Sequence, residues 1–416
     1  MMDLPELGDA PLKEAPPVEA RVAGFRGAAV AAGIRADGRE DLALIAAREP
    51  VAAAGVFTRN LLKAAPVQVA QSHLARGRIR AILANSGCAN AATGPAGLEA
   101  CRRTCRELAR ALDCPQDQVL PCSTGVIGQL LPADKVCSAL PGLVEGLSRE
   151  GLARAAGAIM TTDAFRKMAR ADTEVGGRPV TVLGLAKGAG MIRPDMATML
   201  AFVLTDAAAS PAALQEVITR AAEQSFNRAT VDGDMSTNDT LVLLASGRAG
   251  NRELAPGQGE LAPLQEAVTR VCQDLAAMLV ADGEGAGHLV RVVVSGAPDQ
   301  DTARRLCYAI AHSPLCKTAF AGRDPNWGRL LSAAAAKAGR QGLPFVPEKT
   351  RLWIGPALIA QGAAYTGTRA EEEAARVMQK NRYQVRLDLG LGESYFWVLT
   401  SDLDHAYIEI NAEYRS

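Results

Sequence analysis

The 416-residue chain has no surplus of either charge sign. Forty-five lysines and arginines stand against forty-five aspartates and glutamates, a formal net charge of zero, so no large field draws in nucleic acid or a membrane surface. Histidine is scarce: His73, His288, His312 and His405 lie far apart, and without an H-E-x-x-H pattern the chain is expected to hold no metal. There is no C-x-x-C pair either. Nine cysteines, an odd and scattered set, are not a disulfide framework, and reduced thiols with a cytoplasmic address fit best. No apolar run approaches the length of a membrane span. The start, MMDLPELGDAPLKEAPP, lacks the basic-then-apolar order of a signal peptide and reads as a loosely held tail over residues 1–17. No G-x-x-x-x-G-K-[ST] occurs, and no G-x-G-x-x-G follows a strand into a helix, which leaves a nucleotide role with little support.

What is present alternates between strand and helix signals, without a 20–50-residue repeat. Gly97–Asp113 places Leu98, Cys101, Cys105, Leu108 and Leu112 at helical spacing with arginines on the other face, so the two cysteines read as core side chains. Helices are also predicted at 212–224, 264–281 and 302–312, and short buried strands at 80–84, 180–185, 199–204 and 289–295. After residue 340 the pattern becomes a short strand at 352–354, a charged helix at 369–381, and strands at 383–389 and 395–400. At the end, Ile408 and Ile410 alternate like a strand. The expectation is an α+β fold, with helices layered over mixed sheets and a smaller α+β domain at the C-terminal end.

Between these elements lie five loops rich in Thr, Ser, Asn, Asp and Gly: 85–90, 122–128, 161–163, 231–239 and 282–287. Turn chemistry explains any one of them. Five in one chain, each after an apolar segment, suggest polar groups converging on a pocket. The stretch KGAGMIRPDMATML, Lys187–Leu200, adds chemistry. A strand led by a hydroxyl residue after a small-residue turn suits self-cleavage between Ala197 and Thr198. The Thr198 amine released by that cut, with a pKa of about 7.7–8.0, can serve as base for its own hydroxyl. The competing reading is a Gly-Pro loop entering a buried strand.

Ten ordered segments decide between them. AGVFTRN (54–60), AAPV (64–67), NSGCANAATG (85–94), PCSTGVIG (121–128), AIMTTDAFRK (158–167), AKGAGMIRPDMATMLAF (186–202), FNRATVDGDMSTNDT (226–240), GEGAG (283–287), RDPNWGR (323–329) and INAEYRS (410–416) resemble the ornithine acetyltransferase (glutamate N-acetyltransferase) family of arginine biosynthesis over nearly the whole length. The departures are Cys88, where the family usually has Asn, and Gly287-His288, where it usually has Thr-Lys.

The change of pattern toward the C-terminus divides the chain into a catalytic domain over 18–285 and a smaller domain over 286–416; the resemblance implies an N-terminal-nucleophile-like layered architecture and mature chains 1–197 and 198–416 associating as α2β2. It implies ping-pong transfer of acetyl from N2-acetylornithine to glutamate on Thr198, with Thr124 and the Gly125 N–H as oxyanion donors. It places Thr161, Lys187, Thr198, Glu284, Asn411 and Ser416 at the substrate, with Lys187 suited to a carboxylate and Glu284 to the ornithine amine. No cofactor is implied, and acetyl-CoA stays open as a further acetyl donor. The alternative is a Thr-nucleophile aminopeptidase or amidase, in which water replaces glutamate. Asp163, Asp232, Asp234 and Asp239 read as loop-fixing residues, not acids in the reaction, and RDPNWGR carries no catalytic assignment.

Overall fold

The computed structural model describes residues 17–193 and 199–413, together with Leu4, Leu7, Leu12 and Lys13. The proposed Ala197–Thr198 cleavage step, Tyr414 and Ser416 lie outside the described residues. The strands are β1 (Phe25–Val30), β2 (Leu42–Phe57), β3 (Arg78–Asn85), β4 (Val119–Ser123), β5 (Lys167–Val175), β6 (Arg178–Lys187), β7 (Leu200–Thr205), β8 (Ala229–Thr230), β9 (Thr240–Ala245) and β10 (Leu289–Ala297). They continue as β11 (Arg351–Ile354), β12 (Ala357–Gln361), β13 (Ala364–Tyr365), β14 (Arg382–Asp388) and β15 (Ser394–Ser401). The helices are α1 (Ala65–Leu74), α2 (Gly94–Leu112), α3 (Ala133–Glu145), α4 (Leu152–Ala158), α5 (Pro211–Gln224) and α6 (Ala262–Ala281). Then come α7 (Gln300–Ala311), α8 (Pro314–Ala321), α9 (Trp327–Gln341), α10 (Thr368–Met378) and α11 (His405–Glu413).

Two compact units result. The larger comprises Ala15–Asn227 and Asp234–Leu279; the smaller gathers Arg228–Gly233 and Val280–Tyr414. The larger is built on an eight-stranded sheet in the order β4-β3-β2-β9-β7-β6-β5, with β1 also on β2. Strands β3 and β4, and β7 and β9, run parallel while the other pairs are antiparallel. Strand β2 serves two partners on one side. Its register against β3 shifts between Ala46 and Val51, around Pro50, which has no N–H to give a ladder. Before the break β2 pairs with β1, and after it with β9.

Period-two alternation splits the core of this unit by face. Ala43, Ile45, Ala47, Ile82, Leu120 and Cys122 join Leu152 and Ala155 of α4. Leu42, Leu44, Ala46, Leu83 and Val119 join Cys101, Cys105 and Leu108 of α2 and Leu140 and Leu143 of α3. The two helical cysteines are thus core side chains, and all nine cysteines are free. On β6, Gly184 admits α6: a Cβ there would lie 2.5 Å from Val271 Cγ1 and 2.6 Å from Leu275 Cδ1.

The smaller unit carries a seven-stranded mixed sheet, β13-β12-β11-β14-β10-β15-β8. Val290, Val292 and Val294 of β10 pack with Leu306 and Ile310 of α7 and Leu330 and Ala334 of α9. Helices α7, α8 and α9 start on Asp299, Ser313 and Asn326, whose side chains accept from backbone N–H groups of the first turn. Such caps contribute about 1 kcal/mol each. RDPNWGR is thereby explained as the device that ends α8 and opens α9, with Asn326 Nδ2 also donating to Asp324 at 2.9 Å. Leu7 offers its carbonyl to Arg382 at 2.8 Å, and Leu12 is buried.

The mixed α+β architecture is as expected. The strand expected at Ile408–Ile410 is instead part of helix α11. Two apolar residues spaced by two are too short a pattern to fix a period. Asp404 accepts from His405 N at 2.6 Å and, through its carbonyl, from Tyr407 N at 3.1 Å, which starts a helical turn. Both isoleucines are consequently exposed. Among the described residues no helix is long and apolar enough to cross a membrane.

Candidate active site

In the larger unit, hydrogen bonds from two side chains, Lys187 and Asn238, bring four of the polar loops together. Strands β6 and β7 pair as far as Lys187 opposite Leu200, so the chain leaves and re-enters the sheet side by side. Lys187 is buried, and its Nζ donates to Thr124 Oγ1 at 3.1 Å and Thr161 Oγ1 at 2.7 Å. Three residues of the expected set, from three separate loops, therefore share one ammonium group.

Thr124 and Gly125 follow β4. Gly125 has φ +132, and a Cβ there would lie 2.3 Å from Gly87 C and 2.5 Å from Cys88 N. Only glycine fits so near another backbone. The facing loop is braced from within: Thr124 N donates to Asn85 O at 2.9 Å, Asn85 Nδ2 to Cys88 O at 2.9 Å, and Ser123 Oγ to Asn85 Oδ1 at 2.6 Å. Asn238 Nδ2 ties in the fourth loop, donating to Ala89 O at 2.7 Å and Ser123 O at 2.8 Å. Cys88, the departure from the family pattern, is buried with its Sγ 3.3 Å from Gln129 O, and burial pushes its thiol pKa up. It packs here as an inert side chain.

Asp163 is the hub beneath Lys187. Its Oδ1 accepts from Lys167 Nζ at 2.6 Å and from Gly188 N at 2.6 Å, and its Oδ2 accepts from Thr161 N at 2.9 Å. Both side chains of the Asp163–Lys167 pair are fully buried. Burial alone would raise the Asp163 pKa, but the charges of Lys167 and Lys187, with the Lys167 and Gly188 hydrogen bonds, hold it well below the usual carboxylate range. Asp163 thus stays ionised and fixes Thr161 and the start of the Gly188 turn. Asp239 fixes the other strand: its Oδ1 accepts from Met199 N at 3.1 Å. Burial drives its pKa far up, and its Oδ2 has no hydrogen-bond partner among the described residues.

In the smaller unit, Glu284 Oε2 accepts from Asn411 Nδ2 at 2.8 Å. The structure thus gathers Thr124, Gly125, Thr161 and Lys187 in one unit and Glu284 with Asn411 in the other. Ala197, Thr198 and Ser416 lie outside the described residues. Sequence reasoning passed over Lys167, whose signal was its place four residues after Asp163 in a polar loop.

The chain matches the ArgJ family over residues 26–416. It is 45% identical over 395 residues to the arginine biosynthesis bifunctional protein ArgJ of Geobacter sulfurreducens, covering 95% of this chain and 100% of that one. To the protein of the same name from Methylococcus capsulatus it is 47% identical, covering 95% and 96%. Among solved structures, ArgJ from Bacillus halodurans is 36% identical with a TM-score of 0.48, covering 51% of this chain and 98% of that one. Ornithine acetyltransferase from Mycobacterium tuberculosis, solved with ornithine, is 42% identical with a TM-score of 0.39, covering 44% and 98%. The chain is an acetyl-transferring enzyme of arginine biosynthesis. It belongs to the ArgJ family.

Proposed function

We propose that the enzyme moves the acetyl group of N2-acetylornithine to glutamate in two half-reactions, with Thr198 as the acetyl carrier after the chain has cut itself between Ala197 and Thr198. A covalent ester divides one difficult amide transfer into two easier steps. Thr198 Oγ attacks the acetyl carbonyl carbon while its α-amine takes the hydroxyl proton. The tetrahedral oxyanion forms, the C–N bond breaks, and ornithine leaves with a proton. Glutamate's amine then attacks the acetyl-Thr198 ester and restores the hydroxyl. The observation that carries this reading is Lys187 Nζ held between Thr124 and Thr161 hydroxyls, at the sheet end where β7 begins. Thr124 Oγ1 and the Gly125 N–H are the oxyanion donors in this account; losing one such donor typically costs about 10²–10³ in rate.

Lys187 meets the carboxylate of the shared amino-acid head, with Thr161 completing that contact. Glu284 takes the ornithine side-chain amine, and Asn411 and Ser416 complete the substrate set. The cut chains stay together as α2β2 in the cytoplasm, without a metal or bound cofactor, and acetyl-CoA is a second donor to be assayed. The test is Thr198→Ala. The parent protein is expected to run as fragments 1–197 and 198–416 that co-purify, and the variant to stay whole and lose transfer. An active, uncut variant would end this reading.

A further inference from the structure

A second buried cluster lies in the smaller unit, and the acetyl-transfer account makes no use of it. Asp402, 5% exposed, follows β15. Its Oδ1 accepts from Gly287 N at 2.9 Å and His288 N at 3.1 Å, and its Oδ2 lies 2.6 Å from His288 Nδ1. The residues on either side of it are pinned to Lys317 of α8. Lys317 Nζ donates to Thr400 Oγ1 at 3.0 Å, to Ser401 Oγ at 3.2 Å and to the Ser401 carbonyl, while its own carbonyl accepts from Leu403 N at 3.2 Å. Asp402 therefore hangs from a fixed point and grips the 283–288 turn.

That turn also touches α11 directly. Gly285 has φ +72, and a Cβ there would lie 2.6 Å from Tyr407 N. One turn further along α11, Asn411 Nδ2 donates to both Tyr407 O, at 3.0 Å, and Glu284 Oε2. Two chain segments leave the clasp, one through Gly287 to Glu284 and the other through Leu403 to Asn411, and their side chains meet again. His288 is buried as well, and its Nδ1 contact gives Asp402 a third donor where the family pattern has a lysine.

We propose that Asp402, seated on Lys317, is a positioning residue that sets the Glu284 carboxylate and Asn411 amide as one rigid reader of a cationic substrate tail. It touches no substrate itself. It acts by docking the 283–288 turn on α11, so that Glu284 does not have to be ordered when the amine arrives, which removes part of the entropic cost of binding. This rests on the reading of Glu284 as the partner of the ornithine amine.

The test uses the full processed enzyme and three variants: Asp402→Ala, Asp402→Asn and Glu284→Gln. Hydrogen exchange measures the clasp independently of substrate: peptides covering 282–290 and 403–413 are expected to exchange faster in Asp402→Ala, and less so in Asp402→Asn, which keeps an acceptor for the two backbone N–H groups. In steady state, Asp402→Ala is expected to raise KM for acetylornithine about tenfold with kcat falling less than about twofold and KM for glutamate little changed. In a Glu284→Gln background it is expected to add almost nothing, since both changes remove one interaction. Should Asp402→Ala not fold, Asp402→Asn carries the same comparison at smaller amplitude. Unchanged exchange in the two peptides overturns the clasp. Loss of activity with both KM values moved alike, or effects that multiply in the double variant, reduces Asp402 to general structure and overturns its positioning role. If exchange rises while Glu284→Gln leaves KM for acetylornithine unchanged, the assignment of Glu284 is what fails, and the substrate-positioning claim falls with it.

Discussion

Two buried aspartates, one in each unit, do opposite things with a neighbouring lysine. Asp163 in the larger unit is in direct contact with Lys167 and shares its field with Lys187, so the ion pair is made and the carboxylate is held charged. Asp402 in the smaller unit spends its oxygens on two backbone N–H groups and His288, and among the described residues Lys317 hydrogen-bonds neutral oxygens alone. Burial pulls the Lys317 pKa from the ordinary 10.5 to about 7, against the opposing charges of Asp402 and Asp232. A buried carboxylate in contact with an ammonium group is kept charged. A buried lysine among neutral acceptors is cheap to discharge, and serves as a fastening for backbone.

The largest expected effect follows from breaking the contact pair. Asp163→Ala takes the carboxylate away from buried Lys167 and removes an anchor shared by two separate segments: Thr161 N and Gly188 N both lose their acceptor. Unfolding free energy is expected to fall by about 3–5 kcal/mol, measured by denaturant titration, with acetyl transfer falling alongside. Retained stability would mean that the pair is not the anchor described.

A smaller effect separates the two lysines. Between pH 7 and 10.5 the unfolded chain keeps a proton that folded Lys317 has lost. The folded-state pKa is the depressed one, so this contribution to stability grows as pH rises through the window and is lost as pH falls back through it. Lys317→Met removes that dependence. Melting temperatures of parent and variant, taken from pH 7 to 9, are expected to diverge in the parent's favour as pH rises. Parallel profiles would show that Lys317 keeps its proton when folded.

The sequence carried the polar loops clearly because each is a local signal. Asn85-Ser86-Gly87, Ser123-Thr124-Gly125 and Thr161-Thr162-Asp163 stand out from apolar flanks, and their resemblance to one family supplied the roles. Their convergence was legible as a suggestion only, since nothing local says that the loops after β4 and β6 and the loop before β9 come together. Asp402 and Lys317 gave no signal at all, and His288 stood out only as a departure from the family pattern. They are single residues from three elements, joined by long-range packing, and each looks ordinary in its own window. Strand β8 was invisible for the same reason, being two residues that pair with β15 from far along the chain. The C-terminal helix was misread because two isoleucines imitate a strand period, whereas Asp404 sets the local hydrogen bonding.

The central claim is that Thr198 carries the acetyl group, and one measurement addresses it directly. The purified enzyme is mixed with acetylornithine alone, quenched in acid, and the 198–416 fragment is weighed by mass spectrometry. The account predicts about one acetyl group on that fragment, placed on Thr198, as a single acyl-enzyme requires, and its disappearance once glutamate is added. A fragment that never gains acetyl while the complete reaction proceeds would contradict it and make the transfer direct.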